Sequence, residues 1–82
     1  MKNDWIEVDN TLQKTFALSD FKEALAFTNM VGEIAERLQH HPDICIKDFN
    51  KVSIATSTHE EGNIITTKDR DLVDAIDNLN IS

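Results

Sequence analysis

The chain has 82 residues, so we expect one domain (residues 1–82) that buries only about 60% of its unfolded surface and gains stability by self-association. Its formal charge of −7 comes without any cluster of lysine and arginine, which excludes nucleic acid and anionic membranes as partners. No apolar run is typical of a signal peptide or a membrane span, so the predicted location is the cytoplasm.

The first predicted element is a β-hairpin. Trp5, Ile6 and Val8 predict a short strand that ends at the turn-forming pair Asp9-Asn10. Leu12, Lys14, Phe16 and Leu18 then predict a second strand with mixed alternation. The short connection makes the two strands antiparallel neighbours.

A long amphipathic helix is predicted next. Ser19-Asp20 offers its N-cap, and Glu23 follows Asp20 at capping-box spacing. Apolar and small residues recur at helical intervals: Phe21, Ala24, Leu25, Thr28, Val31, Ala35 and Leu38. Because Pro42 disfavours helical geometry at the residue before it, the helix should end within residues 39–41.

The second half of the chain predicts another strand pair and a second helix. Alternation over residues 44–49 predicts a third strand, Asn50-Lys51 a turn, and the β-branched run Val52 to His59 a fourth strand. A polar loop, residues 60–63, leads to a helix beginning near Thr66-Thr67. Its buried stripe consists of Leu72, Val73, Ile76 and Leu79. The order β-β-α-β-β-α predicts an α+β fold, a four-stranded antiparallel sheet with two helices packed on one face.

All three histidines lie near the ends of predicted elements, where catalytic groups are common. His40 and His41 end the long helix, and Glu36 shares a helix face with His40, where a carboxylate can orient an imidazole. Ser57 and His59 share one face of the fourth strand. The hairpin brings His59 towards the His40-His41 corner, and two imidazoles facing one pocket can act as an acid–base pair.

Simpler interpretations of these residues are open on local grounds. An adjacent histidine pair at a helix end is commonly a solvated cap, and Asp69 is a first-turn acid that stabilises its helix. Cys45, the one cysteine, is a small packing residue. A zinc site could combine His40 or His41, His59 and an acid or Cys45, but these spacings match no standard zinc pattern. We therefore predict neither a metal nor another cofactor.

The string Glu36-Arg37-Leu38-Gln39-His40-His41-Pro42 resembles the Glu-x-x-x-His-His-Pro motif of the pterin-4a-carbinolamine dehydratases. The resemblance continues through Phe49, His59 and Asp69 and covers nearly the whole chain. Upstream, it includes Trp5, Leu12, Phe16, Phe21, Ala24 and Phe27. The family's fold, as implied by the resemblance, is the same four-stranded sheet with helices on one face.

The sequence departs from the family pattern near the predicted pocket. Family members often have an acidic residue where Gln39 stands and a tryptophan where Ile44 stands. The loop from His59 to Asp69 is one residue longer than is usual and has no glycine pair. Contacts with a substrate are therefore expected to differ from those of other members.

The resemblance implies dehydration of 4a-hydroxytetrahydropterin to quinonoid dihydropterin, in tetrahydropterin recycling, by histidine acid–base catalysis without a metal or other cofactor. It implies that His40 and His59 exchange protons with the pterin. The implied substrate-binding residues are Glu36, His41, Pro42, Asp43, Ser57 and Thr58. A homodimer or homotetramer is also implied.

Two alternative functions are open for a chain of this kind. One is a non-catalytic protein-binding or dimerisation module of the same fold, since animal members also serve as dimerisation cofactors of a homeodomain transcription factor. The other is a pterin-related role in molybdenum-cofactor metabolism.

Overall fold

The computed structural model describes residues 5–79, and its elements follow in the predicted order. The strands and α-helices are β1 (Ile6–Val8), β2 (Thr11–Ala17), α1 (Phe21–Leu38), β3 (Asp43–Lys47), β4 (Lys51–Thr56) and α2 (Thr67–Asp77). The strands form one antiparallel sheet in the order β1-β2-β4-β3, and both helices pack on one face. The predicted α+β fold is confirmed.

The core lies between this face of the sheet and the apolar sides of the helices. Val52 and Ile54 alternate inward along β4, and both are fully buried. They meet the helix residues Ala24, Phe27, Val31, Ile34, Ala35, Leu72 and Ile76. Each large apolar side chain buried in this way contributes roughly 1.5–3 kcal/mol. The core therefore fixes α1 and α2 against the sheet, and with them the residues at their ends.

Both helices begin at side-chain caps, of which the one at Asp20 was predicted. The Asp20 carboxylate accepts a hydrogen bond from the Glu23 N–H at 2.9 Å, and the Thr66 hydroxyl accepts one from the Lys68 N–H at 3.2 Å. Such caps satisfy backbone donors that have no partner within the helix. Neither helix, nor any other within residues 5–79, is long and apolar enough to cross a membrane.

α1 ends at a left-handed residue. Gln39 has φ 54°, and the His40 N–H donates to the Ala35 carbonyl at 3.1 Å, a closure typical of the Schellman motif. The helix thus ends at Leu38, just before the predicted interval. Because the chain leaves helical geometry at Gln39, His40 and His41 no longer follow the helical spacing.

The turn between β3 and β4 comes earlier than predicted. Asp48 and Phe49 both have left-handed backbone, with φ 51° and 54°, so β3 ends at Lys47. β4 already begins at Lys51, and the predicted turn at Asn50-Lys51 was wrong by about two residues. The first hairpin does turn at Asp9-Asn10, as predicted.

Trp5 connects the first hairpin to the C-terminal end of α2. Its indole Nε1–H donates to the Asp77 carboxylate at 2.9 Å, and Lys14 Nζ lies 3.5 Å from the same group. The ring packs edge-on against Phe16, with centroids 6.0 Å apart. These contacts join residues 72 positions apart in the chain.

Candidate active site

A buried carboxylate, Asp69, lies beneath the site. It is fully buried in the first turn of α2. Its oxygens accept four hydrogen bonds, from His40 Nε2 (2.6 Å), Thr56 Oγ1 (2.6 Å), Thr58 Oγ1 (2.7 Å) and the Thr66 N–H (3.0 Å). Burial raises the pKa of Asp69, but these hydrogen bonds outweigh burial and hold the pKa below its usual value. The sequence-based interpretation of Asp69 as a first-turn acid was thus incomplete, because the carboxylate also joins three other segments.

Asp69 determines how His40 is oriented. A charged carboxylate can only accept, so Nε2 of His40 carries a hydrogen and donates it. The Nδ1 atom is then the ring nitrogen left for a ligand. Only 7% of His40 is exposed, so the hydrogen bond that orients its imidazole lies in the protein interior.

His41, and not His40, pairs with Glu36. The Glu36 Oε2 and His41 Nε2 atoms are 2.6 Å apart, and the side chains are 72% and 57% exposed. The predicted Glu36–His40 pair was wrong because it assumed that the helix continues through Gln39. An exposed pair of this kind is worth at most about 1 kcal/mol. The two adjacent histidines therefore have separate partners.

His59 begins a 3₁₀ turn (His59–Glu61), three residues after β4 has ended at Thr56. The predicted fourth strand, Val52 to His59, was therefore too long. The His59 side chain is exposed, and its Nδ1 lies 2.5 Å from the Oδ1 atom of Asn63. This loop thus supplies His59 with its own partner, separate from those of His40 and His41.

A cleft of about 140 Å³ brings the three histidines together. Its lining consists of Gln39, His40, His41, Ser57, His59 and Glu60. A wider, open groove of about 790 Å³ runs between α1 and β3 and shares His41 with the cleft. Among the residues predicted to bind substrate, Glu36 and Pro42 line this groove. The structure therefore divides most of the predicted site between two adjoining depressions.

Two predicted substrate-binding residues lie outside both depressions. Asp43 is exposed at the start of β3 and lines neither of them. Thr58 is fully buried, its hydroxyl donates to Asp69, and its backbone N–H donates to the Ile64 carbonyl at 2.8 Å. The side chain of Thr58 thus supports Asp69 and is not accessible to a ligand.

Glu60 adds a carboxylate to the cleft that sequence reasoning did not single out. A hydrogen bond from its own backbone and the nearby Lys68 ammonium hold the pKa of Glu60 below its ordinary value, and His40 and His59 act in the same direction. The cleft therefore combines imidazoles with a negative charge at neutral pH. No group of three or more His, Cys, Asp or Glu side chains within residues 5–79 is arranged to hold a metal ion.

The arrangement suits proton transfer to and from a ligand. His40 is held through Nε2 and His59 through Nδ1, so each imidazole keeps one nitrogen for a molecule in the cleft. Groups positioned in this way act as general acids and bases near neutral pH.

Residues 1–79 match the family described as pterin 4 alpha carbinolamine dehydratase. The chain belongs to this family. A relative from Herpetosiphon aurantiacus is 44% identical over 78 residues, which cover 95% of this chain and 79% of the relative. Another, from Sulfurisphaera tokodaii, is 45% identical over 75 residues, covering 92% and 78%. Both carry the provisional name pterin-4-alpha-carbinolamine dehydratase.

Two solved structures have a similar fold. A Brucella melitensis protein described as a transcriptional coactivator/pterin dehydratase has a TM-score of 0.80 and 29% identity, covering 89% of this chain and 78% of its own. A pterin dehydratase-like protein, described as a RuBisCO assembly factor in the alpha-carboxysome, has a TM-score of 0.71 and 23% identity, covering 95% and 94%. The second likeness is one of fold alone.

Proposed function

We propose that the protein dehydrates 4a-hydroxytetrahydropterin to quinonoid dihydropterin, in tetrahydropterin recycling. The observation that carries the proposal is the cleft shared by His40 and His59, each held through one ring nitrogen. In this reaction the C4a–O bond breaks, and the departing hydroxide takes a proton to leave as water. N5 loses a proton as the N5–C4a double bond forms. The departing hydroxide receives one proton and N5 loses one, so a pair of imidazoles can perform both transfers.

The pterin is proposed to occupy both depressions. A cleft of about 140 Å³ is smaller than the pockets of roughly 300–1,000 Å³ that usually hold small ligands. The reacting C4a–N5 edge would lie in the cleft beside Ser57, and the rest of the ring system would extend past His41 towards Pro42. Gln39 and Ile44, which depart from the family pattern, line the cleft and the groove respectively, so both would contact the substrate.

Dehydration can be measured directly. The purified protein is expected to accelerate the loss of water from 4a-hydroxytetrahydropterin, followed by the absorbance of the quinonoid product. Activity should be unchanged after treatment with a chelator, because both proton transfers are assigned to side chains. The control is the double variant His40→Ala/His59→Ala. A folded wild-type protein that gives no acceleration over buffer would contradict the proposed function.

Self-association, as a homodimer or homotetramer, is part of the same proposal. Phe21 and Leu25 are half-exposed on the outer side of α1, and Gly32 lies along the same stripe. A Cβ at Gly32 would meet no atom within 4 Å, although glycine in a helix costs about 1 kcal/mol relative to alanine. A second copy packed on this stripe would bury Phe21 and Leu25. Its close approach to α1 would explain why a glycine stands at position 32.

Light scattering at micromolar concentration is expected to give a mass of at least two chains. Leu25→Glu should reduce that mass, because it places a charge in the proposed contact. Lys22→Glu, which changes an exposed side chain on the same helix outside the stripe, is the control. A wild-type protein that stays a single chain would contradict self-association.

A protein-binding module is the second candidate function. The description of the Brucella protein as a coactivator as well as a dehydratase favours it, and so does the exposed apolar stripe of α1. The dehydration assay separates the two candidates, because a binding module needs no proton transfer in the cleft.

A further inference from the structure

The loop after β4 is held together by its own backbone. The Asn63 N–H donates to the Thr58 carbonyl at 3.0 Å, and the Gly62 N–H donates to the His59 carbonyl at 3.1 Å. Gly62 and Asn63 both have left-handed backbone, with φ 86° and 60°. Apart from glycine, asparagine is one of the residues that adopts this conformation most readily. The loop therefore presents the Asn63 side chain in a defined direction.

That direction is towards His59. The Oδ1 atom of Asn63 lies 2.5 Å from Nδ1 of the imidazole. An amide oxygen can only accept, so Nδ1 must carry a hydrogen, and the lone pair of the neutral ring is then on Nε2. Asparagine here is a positioning group, because it acts on the imidazole and does not line the cleft.

We propose that Asn63 holds His59 in the Nδ1–H tautomer, so that Nε2 is the atom that exchanges a proton with the substrate. The catalytic consequence rests on the proposed dehydratase function, whereas the tautomer itself does not. In the other tautomer, Nε2 would carry a hydrogen and could not accept a proton from the substrate. His59 is exposed and, within residues 5–79, its side chain makes no other hydrogen bond or ion pair, so this bond selects both the tautomer and the ring orientation.

A neutral partner suits the charges around His59. Glu60 lies on the same 3₁₀ turn, and His40 and His41 face the cleft from the end of α1. Lys68 of α2 acts on Glu60. An asparagine fixes the tautomer without adding a further charge to this group, whereas an aspartate at the same position would add one.

The tautomer can be observed without substrate, by ¹⁵N NMR of the histidine rings in the folded protein. The wild-type spectrum is expected to assign neutral His59 to the Nδ1–H form. Asn63→Gly keeps a residue that tolerates the left-handed backbone but removes the amide, and it is expected to shift the population towards the Nε2–H form. Asn10→Gly is the matched control, because Asn10 has φ 65° in the first hairpin and does not line the cleft. An Nε2–H form in the wild type, or no change in Asn63→Gly, would overturn the proposal.

Kinetics test the catalytic consequence separately. Asn63→Gly is expected to lower kcat by about 5- to 10-fold, with KM changed less than twofold, since one neutral hydrogen bond is lost. Asn63→Asp retains the acceptor with a charge, so it should restore the tautomer and move the His59-dependent limb of the pH–rate profile to higher pH. A purely structural role for the loop would not move this limb, so an unchanged profile in Asn63→Asp counts against the proposal. If the tautomer is as expected but the wild type does not dehydrate pterin, the proposed function fails and the positioning role stands.

Discussion

His59→Ala is expected to lower kcat for dehydration by roughly 10²-fold or more, with little change in melting temperature. The side chain is exposed and its hydrogen bond is to a residue of its own loop, so its removal opens no cavity in the core. What would be lost is a proposed proton-transfer group in the cleft. Steady-state kinetics together with thermal unfolding followed by circular dichroism measures both quantities.

His41→Ala is the matched control for this prediction. His41 is also exposed and lines the same cleft, but it is paired with Glu36 and is proposed to contact the substrate without transferring a proton. Its removal should raise KM more than it lowers kcat, as expected when uniform binding is lost. A folded His59→Ala variant with near-wild-type turnover would contradict the acid–base assignment and favour the binding module.

Asp69→Ala is expected to reduce the free energy of unfolding by about 3 kcal/mol or more. It leaves the Thr56 hydroxyl and the Nε2–H of His40, both buried, without their acceptor, and each buried group without a partner costs about 1–3 kcal/mol. A chain of this size has roughly 4–12 kcal/mol of total stability, so the loss is large. Denaturant unfolding measures it. Asp71→Ala, an exposed acid on the same helix, should change stability by no more than about 0.5 kcal/mol, and an equal effect of both variants would contradict the role given to Asp69.

The Asp69 carboxylate also makes the protein less stable as the pH falls. The pKa of Asp69 is lower in the folded protein than the ordinary value of 3.8, because hydrogen bonds to the charged form outweigh burial. Its contribution is therefore complete above about pH 5 and is lost as the pH falls through the folded-state pKa. Asp69→Asn, which cannot titrate, should show a shallower loss of unfolding free energy below about pH 4 than the wild type. Parallel acid profiles would contradict this assignment.

His40 differs from His59 in its consequences for stability. His40→Ala should lower kcat by a similar factor, but it also removes a donor from Asp69 and leaves space behind a residue that is only 7% exposed. The proposed catalytic role and stability are therefore coupled at His40, whereas His59→Ala tests the proposed catalytic role alone.

Local sequence patterns predicted the fold because the residues that begin or end each element lie within or next to that element. The left-handed pair Asp9-Asn10, the cap at Asp20 and the stop before Pro42 lie within a few residues of the structure that they determine. The errors concern backbone geometry that depends on single residues. Left-handed Gln39 transfers the Glu36 partnership from His40 to His41, and helical spacing alone does not predict this.

The hydrogen-bond network around Asp69 could not be predicted from the sequence, for a different reason. Thr56 and Thr58 continue the inward alternation of Val52 and Ile54, and two hydroxyls on the core side of the chain require a buried acceptor. The acceptor itself is 11 to 13 residues further along, on another element, and His40 reaches it across 29 residues. Only the packing of α2 on the sheet identifies Asp69 as the shared partner.

The contact between Trp5 and Asp77 has a spectroscopic consequence. The protein has one tryptophan and no tyrosine, so its near-ultraviolet emission arises almost entirely from this indole. Because the indole is held between the first hairpin and the end of α2, its fluorescence reports the docking of the two ends of the fold. Circular dichroism at 222 nm reports mainly α1, the longest helix of residues 5–79. Coincident transitions by the two signals would indicate that the chain unfolds as one cooperative unit, and an earlier change in fluorescence would indicate that α2 separates from the hairpin first.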